Sequence, residues 1–99
     1  MDISNRDKIL NISVNLARVS DWVFSQRKQS RVDQFLKESE EYLLSINEKT
    51  VSIPFRPTLS RFKKEFKKLL QERNNIDTYD WAERALTWAN ILQHRAKLA

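Results

Sequence analysis

The chain of 99 residues contains no glycine, where average usage supplies about seven. Phosphate cradles and dinucleotide turns need the backbone freedom that only glycine provides, so P-loop and Gly-rich nucleotide folds are excluded. Any tight helix end must also be closed by another residue. The pair placed to do so is Asn74-Asn75, because asparagine tolerates the left-handed conformation better than most side chains.

The apolar residues recur with a helical period. Between about 5 and 28 they fall at Ile9, Ile12, Leu16, Val19 and Val23, with a second row at Leu10, Val14, Ala17 and Phe24. The two rows adjoin on a helical wheel and predict one wide buried stripe. Arg27-Lys28 suits a helix C-terminus and Ser30 an N-cap, so the spacing predicts a very short link and an antiparallel hairpin rather than one long kinked helix. Helix two, 30–47, carries Val32, Phe35, Leu36, Ser39, Leu43 and Ile46 on one face and an acidic exterior.

Residues 47–57 hold Pro54 and Pro57, which remove amide donors and bias their predecessors away from helix. Val51, Ile53 and Phe55 alternate as in a strand, but a strand without a partner is disfavoured. This segment reads as a long proline-containing loop crossing the bundle, pinned by Ile53 and Phe55. Helix three, 58–73, starts on Thr58 as N-cap and turns Leu59, Phe62, Phe66, Leu69 and Leu70 inward. Helix four, 78–97, is capped by Asp77 or Thr78, and with Trp81, Ala82, Ala85, Leu86, Trp88, Ala89, Ile91 and Leu92 it is the most apolar of the four. The expectation is one all-α domain over 1–99, a small antiparallel four-helix bundle.

The charge is uneven. Residues 1–49 hold eight bases and eight acids and residues 50–99 hold ten and five, so the whole net charge of +5 lies in the second half. Arg56, Arg61, Lys63, Lys64, Lys67, Lys68 and Arg73 stand against only Glu65 and Glu72, while 33–48 carries five acids and one base. A basic face made by Arg56, Arg61, Lys63, Lys64, Lys67 and Lys68 is a candidate for polyanions, with nucleic acid held through backbone charge and no sequence reading. Against it stands a solvated face, or one that meets the acidic exterior of helix two. A helix-turn-helix reading fails on charge, because Asp77, Asp80 and Glu83 crowd the start of the helix that would enter the groove.

Catalysis has little to stand on. Without cysteine there is no thiol nucleophile and no cysteine-ligated metal site. His94 is the only histidine, and near a helix C-terminus it reads as a dipole-stabilising surface residue. No catalytic residue, cofactor or metal is expected. The polar start, Met1 to Asp7, shows no export signal, no apolar run approaches membrane-spanning length, and a cytoplasmic location is the default. The expected role is a non-catalytic protein–protein interaction or regulatory module, with polyanion binding as the alternative. Self-association as a two-fold dimer is expected through the apolar surplus of helix four, with Trp81 or Trp88 near its centre. The acidic helix two of one copy would then meet the basic helix three of the other in a salt-sensitive contact.

Overall fold

Ser4 begins the first helix: its hydroxyl accepts the Asp7 amide at 3.1 Å, satisfying one of the free donors of the first turn. The computed structural model describes residues 3–99. It contains α1 (Asn5–Trp22), α2 (Gln29–Leu44), α3 (Arg56–Glu72) and α4 (Thr78–Arg95), with short 3₁₀ turns at Gln26–Lys28, Glu48–Thr50, Ile53–Phe55 and Ala96–Leu98 and no strand among the described residues. Among the described residues no helix is long and apolar enough to cross a membrane.

Each neighbouring pair of helices is antiparallel. Trp22 meets Phe35, Asn15 meets Ser39 and Lys8 reaches the Ser45 carbonyl, which runs α2 back along α1. Ser13 bonds Ala89 and Phe24 packs on Tyr79, which runs α4 along the other flank of α1. Phe62 on Trp88 and Thr58 on Arg95 align α3 with α4, and Arg73 on Asp33 aligns it with α2. The four helices therefore form a square in chain order, with the α1–α4 and α2–α3 faces on opposite sides. One apolar cluster fills the centre, from Ile9 and Leu16 through Leu36 and Phe66 to Trp81 and Leu92.

Side-chain size sets the spacing. Small residues lie where α1 meets its neighbours, and buried Ser13 donates to the Ala89 carbonyl at 2.7 Å, which requires the two backbones to approach closely. On the other side, α3 stands off behind Phe62 and Phe66, whose rings stack 5.5 Å apart and are fully covered.

Several boundaries differ from the sequence reading. The first helix ends at Trp22, not near Lys28, because the Gln29 side-chain amide donates to the Val23 and Ser25 carbonyls at 2.9 and 2.8 Å and stabilises a turn there. Ser30 is not a cap; it lies inside α2, which continues directly from the preceding 3₁₀ turn. Helix α3 begins at Arg56 with Pro57 in its first turn, where a missing amide costs nothing. Thr58 is accordingly buried within the helix and accepts from Arg95 at 3.2 Å.

The second connection runs across the end of the bundle, tied to the start of α1 by Asn5–Thr50 at 3.0 Å and to the C-terminal turn by the Ser52 hydroxyl on the Leu98 carbonyl. Val51 and Phe55 pin it, whereas Ile53 is 72% exposed, since the 3₁₀ turn at 53–55 directs it outward. Asn74 and Asn75 do not adopt the left-handed conformation, for every described residue has negative φ. Carbonyls at the end of α3 are met instead by the Asn75 and Ile76 amides on Glu72 and by the Asn75 side chain on Gln71. Asp77, not Thr78, caps α4, accepting from Tyr79 at 2.7 Å.

Candidate functional site

Two faces remain incompletely covered once the core is filled. On the α1–α4 face, Val14, Phe24, Tyr79 and Leu86 are exposed although all are large and apolar or aromatic. They follow from a periodicity mismatch: α1 carries two adjoining apolar rows, but contact with α2 and α4 covers only the row through Ile12 and Leu16. Leu10, Val14 and Ala17 of the second row then border a shallow groove of about 410 Å³ against Ala89, Asn90 and Gln93. At the end where α4 begins, Phe24 and Tyr79 pack on each other with ring centroids 4.9 Å apart. Asp21 and Arg18 line the same groove, so its border has no dominant sign.

The α2–α3 face has the opposite character. Two cavities of about 270 and 360 Å³ adjoin there, sharing Glu40 and Leu70, and form one seam with Leu36, Leu43 and Phe66 at its floor. Leu44 stands at its edge and is 79% exposed, the most exposed large apolar residue described. The seam is closed at both ends by ion pairs. Arg73 meets Asp33 at one end, and its second nitrogen donates to Gln29 at 2.7 Å; at the other end Lys63 meets Glu48 at 2.6 Å. The Lys63 ammonium, first by hydrogen bond and then by Coulombic attraction, holds the Glu48 carboxyl below its ordinary range. Burial lowers the Arg73 guanidinium from its usual value, but a side chain of such high pKa stays charged and needs the acceptors it has.

Between those ends the charges are unpaired. Glu40 and Glu41 on α2 and Lys64 and Lys67 on α3 take part in no ion pair among the described residues.

The six cations expected to form one basic surface are divided. Arg56 donates to the Val51 carbonyl at 3.1 Å and Lys63 is paired with Glu48, so both serve the fold. Lys67 borders the seam, while Arg61 lies on the opposite flank of α3, beside Trp88, Ile91 and Arg95 around a cavity of about 190 Å³. Lys68, seven residues on, shares that flank and lies 3.6 Å from Glu65. Lys64 falls between these two flanks in the helical period.

The two tryptophans expected at an interface are internal. Trp81 is fully buried and its indole N–H donates to the Leu69 carbonyl at 2.8 Å; Trp88 is 8% exposed and tilts on Phe62 at 5.4 Å. The surplus of α4 is absorbed because α3 stands off far enough to admit both rings, leaving only Leu86 and Tyr79 outside.

His94 is exposed in the last turn of α4. No group of three residues able to hold a metal ion occurs among the described residues. Sequence reasoning missed Leu44, although its position outside the α2 stripe was the available signal, and it placed Val14 and Leu86 in the core on periodicity alone. No protein-family model, curated protein or solved structure matches this chain.

Proposed function

We propose that the protein is a non-catalytic interaction module that receives an amphipathic helix of a partner protein along its α1–α4 face. One observation carries this reading: Val14, Tyr79 and Leu86 on the two most closely packed helices, with Phe24 in the turn after α1, form an exposed apolar strip. Leu10, Val14, Ala17, Asp21 and Phe24 succeed each other at intervals of four and three, the spacing with which a helix follows a neighbour. A third helix laid in the groove would place its apolar residues against Val14, Ala17 and Leu86 and one larger side chain against the Phe24–Tyr79 pair. Asn90, Gln93, Arg18 and Asp21 would meet its polar edges.

Polyanion binding by α3 has less support, since Arg56 and Lys63 are engaged internally and Arg61 and Lys68 lie on the far flank.

The test uses a library of helical peptides with apolar residues at i, i+4 and i+7. Selected binders should shift the amide resonances of α1 and α4, and Leu86→Glu should weaken them at least tenfold, the loss typical of a central interface residue. Binders that map elsewhere, or none at all, would refute the reading.

A further inference from the structure

We infer that the α2–α3 face is a homodimer interface in which the occupant of each seam is Leu44 of a second copy. Three observations converge on this surface. The seam is apolar at its floor and open to solvent, with Leu43, Phe66 and Leu70 lining it. Leu44 stands beside it, large and unsheltered. The two helices that flank it are oppositely charged: α2 holds four acids and two bases, whereas α3 and Arg73 hold seven bases and two acids.

Symmetry turns these features into one arrangement. A two-fold axis that runs parallel to the helices, just outside the seam, sets α2 of one copy against α3 of the other, and α3 against α2, with both pairs antiparallel. Acidic helix then faces basic helix twice. Glu40 and Glu41 are brought toward Lys64 and Lys67 of the second copy, none of which has an ion-pair partner among the described residues. Each Leu44 approaches the opposite seam. Isologous pairing of this kind closes on itself, so it gives dimers and not filaments.

A second copy fits better than nucleic acid, which has no use for an apolar floor or for the acids of α2. The contact is of modest size. Helix α2 has 16 residues, about 24 Å of length, and two helices are about 20 Å wide, so the face projects on the order of 500 Å² per copy. That lies at the low end of specific interfaces, and the dimer should form at micromolar concentration or above. The α1–α4 faces remain free on the two outer sides, independent of this contact.

Sedimentation velocity of the full chain at low and high salt tests the inference. Dimers are expected at low salt, weakening at least tenfold in affinity as salt rises and screening shortens. Leu44→Asp should weaken association by a similar factor or more. The double variant Lys64→Glu/Lys67→Glu should be monomeric, as should Glu40→Lys/Glu41→Lys, while a mixture of the two sets acid against base in both contacts and should form a heterodimer. A single chain carrying all four changes should dimerise again. Circular dichroism of each variant separates loss of association from loss of fold. A monomer at every concentration and salt, or a dimer indifferent to both Leu44→Asp and charge reversal, would overturn the proposal.

Discussion

The indole N–H of Trp81 donates to the Leu69 carbonyl at 2.8 Å, joining the first turns of α4 to the last turn of α3. A helix runs out of its own donors in its last turn, and here a side chain from the next helix supplies one. The bond adds to the Asn75 and Ile76 donors that close α3 without glycine. Trp81→Phe keeps most of the ring but leaves a buried carbonyl without this donor, and should cost about 1–3 kcal/mol. Trp81→Ala also opens a large cavity and should cost about 3–5 kcal/mol. Urea denaturation followed by helical circular dichroism measures both.

Gln29 has a comparable role at the end of α1. Its amide donates to Val23 and Ser25 and its oxygen accepts from Arg73, so one side chain links the α1–α2 turn to α3. Gln29→Leu should destabilise by about 1–2 kcal/mol and speed hydrogen exchange selectively near residues 22–29. Uniform exchange across the chain would show that the turn does not depend on this amide.

Acid should release the Lys63–Glu48 tie before it affects the core. The folded carboxyl titrates below its unfolded value, so its contribution is present above the unfolded pKa and is lost as pH falls through the folded one. Glu48 is exposed, and the effect should be small. Melting temperatures of the native chain and of Glu48→Gln should differ slightly at neutral pH and converge below about pH 4.

The apolar period of each segment identified four helices, because burial of a stripe is a local property of the sequence, and the short first and third links set their antiparallel order. Boundaries were less legible, since Gln29 ends α1 through a bond to residues that a composition reading cannot place near it. The same limit applies to the candidate faces. Val14 and Ile12 are equally apolar, and only the packing of α2 and α4 around α1 decides which of them meets water. Whether Lys63 and Lys67 share a surface with Arg61 depends likewise on which side of α3 meets α2. Leu44 was visible as an outlier from its stripe, but the seam beside it exists only because Phe62 and Phe66 hold α3 away.

Ser13 and Val14 are adjacent and should differ widely in their sensitivity to substitution. Ser13 is buried at the closest approach of α1 and α4, with its hydroxyl on the Ala89 carbonyl, so there is no room for a larger side chain. Ser13→Leu must separate the two helices, and overpacking together with the lost hydrogen bond should cost at least about 2–3 kcal/mol. Val14, one position on around the same turn, projects toward solvent and is 47% exposed. Val14→Glu should change stability by less than about 0.5 kcal/mol, since it buries no charge and breaks no bond. The usual hydrophobicity rule, by which serine belongs outside and valine inside, gives the reverse order, so thermal denaturation of the two variants tests the α1–α4 packing. A large loss for Val14→Glu would place Val14 in the core and close the apolar strip on which partner binding depends.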